Sequence, residues 1–266
     1  MSPEKSHTYN GLSDREMKEF LDEMADRYNC SEFIEKDPVS IPHGYTEKED
    51  IEIAGFLAAT IAWGNRTMIL NSARRMMKLL GNSPYDFIMS HNEDDLGRME
   101  GSIHRTFNAD DFKSLIRGLR HVYINYRGIE DIFNRYQTDS TLQPAIHEFR
   151  RILFEPPHNL RAEKHVSDPF KGSAAKKINM YLRWMIRKDN RGVDFGIWKS
   201  VSPSILSCPL DVHSGNVARK LGILTRKQSD AKAVEELDAS LRRFDSNDPV
   251  RYDFALFGLG VFEGFK

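Results

Sequence analysis

The sequence predicts an all-α protein. Apolar residues recur at the helical period through almost every segment, and no stretch keeps the alternating pattern of a half-buried strand. Capping residues such as Ser, Asn and Asp stand where these patterns begin, and Gly or Pro often stands where they end. The last such segment, from Tyr252 to Gly260, is apolar nearly all round, which predicts a helix buried at the centre of the protein.

In the first half of the chain, the helices are predicted from their caps. Ser13 with Glu16, and Thr46 with Glu49, have the spacing of a capping box, in which two side chains satisfy free N–H groups at a helix start. The predicted helices of this half run from Ser13 to about Asn29, from Thr46 to Gly64, over 66–80, from the cap Asn108 onward, over 129–137 and over 142–154.

In the second half, a predicted helix over 172–187 is followed by an irregular stretch over 188–209 that is rich in Gly, Asp and Pro. We expect further helices from Asp211, over 230–243, and from the pair Asp248-Pro249.

The composition is that of a soluble globular protein, with 40% hydrophobic and 29% charged residues among 266. No run approaches the roughly 18 apolar residues of a membrane span, and no secretory signal follows Met1. Cys30 and Cys208 cannot form a disulfide framework or a four-cysteine iron–sulfur site. We therefore expect a monomer in the reducing cytoplasm, without membrane contact, metal or cofactor.

Two basic stretches stand out in a chain whose net charge is −1. Residues 161–188 carry eight Lys or Arg against two acids, and residues 66–78 carry four against none. Local positive charge on a nearly neutral chain fits a face that binds phosphates. Ordinary solvated helix faces would show the same pattern, so charge alone leaves both interpretations open.

Two predicted helix starts carry residues suited to catalysis. Asp211 follows the proline-stiffened segment Ser207-Cys208-Pro209-Leu210, where it can cap a helix and be held ionised by the helix dipole. Lys176 and Lys177 lie on the predicted helix that begins near Gly172. An amine and a carboxylate are the groups needed to cut a glycosidic bond through a Schiff base.

These motifs resemble those of the helix–hairpin–helix DNA glycosylase superfamily (HhH-GPD). The string Asp211-Val212-His213 matches its Asp-x-His helix start, while Gly172 and Lys176 match the first Gly and the lysine of its hairpin. The resemblance covers about residues 46–264. It implies a fold of two helical lobes, with a glycosylase-like domain over 46–266 preceded by a tail and helix over 1–45.

The hairpin departs from the superfamily pattern. Ala174 replaces the second Gly, and alanine would be strained there if the turn needed positive φ at that position. Lys176 and Asp211 are 35 residues apart, a wide spacing similar to that of the archaeal 8-oxoguanine glycosylases. The strings Ile178–Met185 and Leu256–Gly260 resemble a conserved bacterial family without an assigned activity.

The resemblance implies a set of site residues. Lys176 is the expected nucleophile, with the adjacent Lys177 as the other candidate, and Asp211 is expected to stabilise positive charge developing on the sugar. A nucleophilic amine must be neutral, which requires burial or a neighbouring cation. The expected nucleic-acid contacts are Gly172, Ser173, Lys177, Arg183 and His213. The expected base pocket contains Trp63 and Asn65.

The function implied is a DNA glycosylase and AP lyase that removes a damaged, possibly oxidised, base from duplex DNA. The alternative is a nucleic-acid- or protein-binding module that keeps the fold without the chemistry. The altered hairpin favours the module, and the presence of both Lys176 and Asp211 favours the enzyme. Each residue also has a structural interpretation: Asp211 as an ordinary cap, the lysines as solvated cations, and Trp63 as part of the core.

Overall fold

The computed structural model describes residues 8–9 and 11–264 and confirms an all-α fold. Its described strands form two short antiparallel hairpins, β1 (Thr8–Tyr9) with β2 (Leu12–Ser13) and β3 (Ser102–His104) with β4 (Phe107–Asn108). The α-helices of the described residues are α1 (Asp14–Tyr28), α2 (Ser31–Glu35), α3 (Lys48–Thr60), α4 (Arg66–Leu80), α5 (Pro84–Ser90), α6 (Glu93–Gly97), α7 (Ala109–Tyr126), α8 (Ile129–Tyr136), α9 (Gln143–Leu153), α10 (Lys176–Ile186), α11 (Val212–Lys220), α12 (Ala231–Phe244) and α13 (Tyr252–Phe262).

Most of the predicted caps are confirmed. Ser13 and Glu16 form the capping box of α1, and Asn108 caps α7. Helix α4 covers the predicted range, with the Asn65 side chain accepting from the backbone N–H of Met68 at 3.1 Å. These helix starts could be located because each depends on a local hydrogen bond between residues three apart.

Two predicted helix starts are wrong. Helix α3 begins at Lys48 after Glu47, which makes no side-chain cap, so the predicted box of Thr46 and Glu49 does not open it. It also ends at Thr60, before Gly64. Helix α10 begins at Lys176, because residues 172–175 form a turn with positive φ at two positions. The short helices α2, α5 and α6 were not predicted, since one or two turns show no helical period.

The buried side chains form two hydrophobic clusters. The larger one takes its residues from Val39 to Leu206 together with Val250 and Phe254, and the smaller one joins α1 to Cys208 and helices α11, α12 and α13. Helix α13 belongs to both, because Phe254 lies in the larger cluster and Leu256 in the smaller. The prediction of a buried C-terminal helix is therefore confirmed.

Helix α1 packs against α13 at close range. A Cβ atom added to Gly258 would lie 2.1 Å from a ring carbon of Tyr28, so only glycine allows this approach. The predicted N-terminal segment 1–45 thus contributes α1 to the same core as the end of the predicted domain 46–266.

None of the described helices is both long and apolar enough to cross a lipid bilayer.

Candidate active site

A cavity of about 450 Å³ is bounded by helices that belong to both hydrophobic clusters. Its walls come from the segment around α2, the α3–α4 connection, α10, the start of α11, and α13. The residues that line it include Asp37, Trp63, Arg66, Lys176, Met180, Arg183, Asp211, Val212, His213, Asp253 and Phe257. The two sequence-predicted catalytic residues, Lys176 and Asp211, therefore face one common space.

Lys176 is the first residue of α10, and the preceding turn fixes its position. Gly172 has φ +83° and Ala175 has φ +47°, so the chain reverses before the helix starts. Ser173 forms a β-bridge with Asp230, and the backbone N–H of Ala175 donates to Ser173 Oγ at 3.1 Å. The suspected strain at position 174 is absent, because the left-handed alanine is Ala175.

Asp211 links the Pro209 segment to α11 as its N-cap. Its Oδ1 atom accepts from the backbone N–H of Ser214 at 2.9 Å and from Ser214 Oγ at 3.1 Å. Its own N–H donates to Ser214 Oγ at 3.0 Å, which completes a capping box. These contacts use only Oδ1, and Oδ2 accepts no hydrogen bond from the described residues.

Two buried carboxyl groups, Asp37 and Asp253, also line the cavity, together with the buried guanidinium of Arg183. Arg183 Nη1 donates to Asp253 Oδ2, and Nε donates to Asp194 Oδ1 at 3.2 Å. Burial raises the pKa of Asp253 to about 6, although the adjacent Arg183 lowers it. Burial likewise raises the pKa of Asp37, and nearby cations oppose that rise.

The ion pairs continue away from the cavity along α10. Arg187 Nη1 donates to Asp194 Oδ2 at 3.1 Å, and its Nε donates to Asp248 Oδ2 at 2.9 Å. Asp194 thus accepts from two arginines one helical turn apart. Buried charges are tolerated when each has its partner, and this chain of alternating charge holds α10 against the segment that precedes α13.

Lys177 lies beside Lys176 in sequence but in a different environment. Its Nζ atom donates to the carbonyl oxygens of Thr60 at 2.8 Å and His165 at 2.9 Å, and it lies 4.8 Å from the centre of the Trp63 ring. Burial, and to a smaller extent the charge of Lys176, together lower the pKa of Lys177 to about 8. Lys177 lines a separate, much smaller space, so of the two lysines only Lys176 lines the cavity.

Trp63 is held in the cavity wall by several contacts. His165 stacks on its ring with centroids 5.8 Å apart, and His104 meets it edge-on at 4.9 Å. His104 Nε2 also lies 2.9 Å from the Trp63 carbonyl oxygen. Asn65, the other predicted base-pocket residue, is exposed, caps α4, and is not among the residues that line the cavity.

The predicted nucleic-acid contacts divide into surface and buried residues. Gly172 and His213 are exposed and Ser173 is half-buried; Gly172 and Ser173 lie in the turn before α10, and His213 lies in the first turn of α11. Arg183 is buried and paired with carboxylates, so it cannot reach a backbone phosphate at the surface. The Lys177 amine is likewise occupied by protein carbonyl groups.

Sequence reasoning missed Asp37 and Asp253 as cavity residues. A signal existed for both: Asp253 is a lone acid in an otherwise apolar helix, and Asp37 precedes a proline as a turn cap. A charge within an apolar pattern indicates a buried ion pair or a site, and the pattern alone does not distinguish them.

Comparisons of the chain with curated proteins and with solved structures returned no match. A family model described as "Protein of unknown function (DUF2400)" matches residues 37–262, which include every cavity residue named above. The chain therefore belongs to the DUF2400 family.

Proposed function

We propose that the protein is a DNA glycosylase and AP lyase that acts through Lys176 and Asp211. The observation that carries the proposal is the convergence of these two residues, 35 positions apart in the sequence, on one cavity that Trp63 also lines. A base extruded from a duplex requires an enclosed pocket with aromatic and polar walls. The resemblance to the helix–hairpin–helix glycosylases supports the same proposal.

In the proposed reaction, the unprotonated amine form of Lys176 bonds through Nζ to the sugar C1′ as the bond from C1′ to the base nitrogen breaks. The base leaves with the bonding electron pair and takes up a proton. Loss of a proton from the new amine and opening of the C1′–O4′ bond then give a Schiff base, from which β-elimination can cleave the strand.

Asp211 acts on the charge that develops in this step. Its carboxylate stabilises the positive sugar in the transition state, while its Oδ1 stays fixed by Ser214. Preorganisation of this kind requires no movement of the carboxylate as the reaction proceeds. The cap geometry thus supports the catalytic proposal.

The helix starts offer the phosphate contacts that duplex binding needs. Exposed Gly172 and half-buried Ser173 precede α10, and exposed His213 lies in the first turn of α11. The backbone N–H groups of Gly172 and Ser173 donate to the carbonyl oxygens of Pro169 and Asp168, so the phosphate contacts would come from the Ser173 and His213 side chains and from nearby positive side chains. We propose duplex DNA as the partner on this surface.

Borohydride trapping tests the proposal. Duplexes carrying single damaged or mismatched bases are incubated with the protein and borohydride, which reduces a Schiff base to a stable covalent adduct. We expect an adduct with the wild-type chain and with the exposed control Lys171→Gln, and none with Lys176→Gln. Absence of an adduct across a broad set of bases, together with retained duplex binding, would instead favour the binding-module alternative.

A further inference from the structure

Two residues that line the cavity, Asp37 and Arg183, each have one side-chain atom that makes no hydrogen bond within the described residues. One atom is an acceptor and the other is a donor. Asp37 Oδ1 accepts from the backbone N–H of Val39 at 3.0 Å as the cap of the turn Pro38–Ser40, and Oδ2 has no partner among the described residues. Arg183 uses Nε and Nη1 for Asp194 and Asp253, and Nη2 makes no hydrogen bond within the same part of the chain.

The side chains that carry these two atoms, Asp37 and Arg183, both line the cavity. Neither belongs to the fully enclosed side-chain atoms that lack a partner in the described residues. Each side chain lines the cavity although it is less than a tenth exposed, at 7% for Asp37 and 3% for Arg183. A buried group with an unused hydrogen-bonding atom is unfavourable unless water or a ligand satisfies it.

Asp37 and Arg183 interact electrostatically without forming a hydrogen bond or an ion pair with each other. Burial raises the pKa of Asp37, and Arg183 is the foremost of the cations that oppose this rise. Yet the ion pairs of Arg183 are with Asp194 and Asp253, and Asp37 forms no ion pair with any described residue. Two groups of opposite charge that line one cavity, one with an unused acceptor and the other with an unused donor, suit a neutral ligand that carries both a donor and an acceptor.

We propose that Asp37 and Arg183 together read a lactam edge, an N–H beside a C=O, on the base that enters the cavity. Asp37 Oδ2 accepts from the ring N–H, and Arg183 Nη2 donates to the adjacent carbonyl oxygen. Among bases, guanine, hypoxanthine, uracil, thymine and purines oxidised at C8 carry this edge in their ordinary tautomers. Adenine and cytosine do not, because neither has a ring N–H next to a carbonyl.

The site would discriminate between bases because a base without the lactam edge would leave the polar atoms of Asp37 and Arg183 without hydrogen-bond partners. A base with a ring acceptor in place of the N–H would face the Asp37 carboxylate with a lone pair. A site built to pair a substrate N–H strongly rejects analogues that lack it, since a desolvated polar group then has no partner. The inference deepens the proposed function and rests on it for the identity of the ligand as a base in DNA.

Free nucleosides test the lactam readout without requiring catalysis. Saturation-transfer NMR on the whole protein compares 2′-deoxyinosine with 1-methyl-2′-deoxyinosine, and 2′-deoxyuridine with 3-methyl-2′-deoxyuridine. In each pair the methyl group replaces only the lactam hydrogen. We expect the unmethylated member to bind about tenfold or more tightly, which is the usual scale for a hydrogen bond to a charged group.

The Asp37→Asn variant tests how much the carboxylate of Asp37 contributes to the preference for unmethylated nucleosides. Asparagine can still cap the turn Pro38–Ser40 with its side-chain oxygen, so the fold is retained, but an amide donor then faces the cavity. We expect the preference for unmethylated nucleosides to fall below threefold in Asp37→Asn and to persist in Asp139→Asn, a change at an exposed residue outside the cavity.

Two results would overturn the lactam readout: equal binding of methylated and unmethylated nucleosides, including no binding of either, or full discrimination in Asp37→Asn. Its failure is distinguishable from failure of the proposed function. A borohydride adduct that forms equally well on methylated bases leaves excision standing and removes the readout. Nucleoside discrimination without any adduct leaves the readout standing and removes catalysis.

Discussion

The ammonium group of Lys177 lies 4.8 Å from the centre of the Trp63 ring, whereas its neighbour Lys176 lines the candidate active site. Two adjacent lysines thus separate into a buried cation that holds an aromatic wall and an amine that faces the cavity. A cation over an indole ring contributes most when it is desolvated, as Lys177 is.

Replacement of Lys177 by methionine should preserve adduct formation. Methionine keeps an unbranched apolar side chain one atom shorter than lysine, and Lys176 remains in place, so we expect trapping within about tenfold of wild type and an altered Trp63 environment. Borohydride trapping and tryptophan fluorescence measure the two effects. If the adduct disappears in Lys177→Met yet survives Lys176→Gln, the nucleophile is Lys177.

Two changes at Asp211 should separate its capping role from its proposed catalytic role. Asp211→Asn keeps a capping oxygen but loses the charge, so excision should slow at least a hundredfold while the unfolding free energy changes little. Asp211→Ala should lose the same activity and also about 1 kcal/mol of stability. Single-turnover excision and urea unfolding measure these quantities, and wild-type excision rates in Asp211→Asn would contradict the catalytic role.

Ala175 offers a test of backbone strain beside the nucleophile. An alanine at φ +47° is disfavoured, so Ala175→Gly relieves strain that offsets the loss of a buried methyl group, and we expect a nearly unchanged unfolding free energy. Ala59 is equally buried, at 2% exposure for each, but lies within α3. Ala59→Gly should therefore cost roughly 1–2 kcal/mol in the same unfolding experiment. Equal losses at the two positions would argue against strain at Ala175.

Glu52 should make stability depend on pH. Its carboxylate accepts from Tyr123 Oη at 2.7 Å and Trp198 Nε1 at 2.6 Å, and burial raises its pKa to about 7 from 4.5. The folded state then binds more protons than the unfolded state between these values, so this group's contribution to stability is present below pH 4.5 and is lost as pH rises toward 7.

The Glu52→Gln variant removes this titration. We expect the difference in unfolding free energy, wild type minus variant, to fall between pH 5 and pH 8, on either side of the folded-state pKa of about 7. Urea unfolding at both pH values checks it. Parallel pH profiles of the two proteins would show that Glu52 does not titrate in this range.

The sequence predicted the parts of the fold that depend on local chemistry. Ser13, Asn108 and Asp211 could be identified as caps because the groups they satisfy lie within three residues. The start of α10 was misplaced because it depends on positive φ at Ala175, which residue type alone does not indicate.

The candidate site was predictable only in part, for a related reason. Lys176 and Asp211 belong to recognisable motifs, whereas Asp37 and Arg183 reach the cavity through packing between distant segments. A buried arginine and a solvated arginine have the same pattern on a helix, so Arg183 was expected at the surface. Burial is set by tertiary contacts that a local reading of the chain does not contain.

The position of the cavity between the two hydrophobic clusters affects how the protein would melt. Helix α10 belongs to the larger cluster and α11 to the smaller, and each supplies one member of the Lys176–Asp211 pair. A bound ligand would touch both, so its binding free energy would be lost whichever cluster opened first. A bound ligand would therefore raise the free energy of states in which only one cluster is unfolded, so the two clusters would unfold in a single cooperative transition.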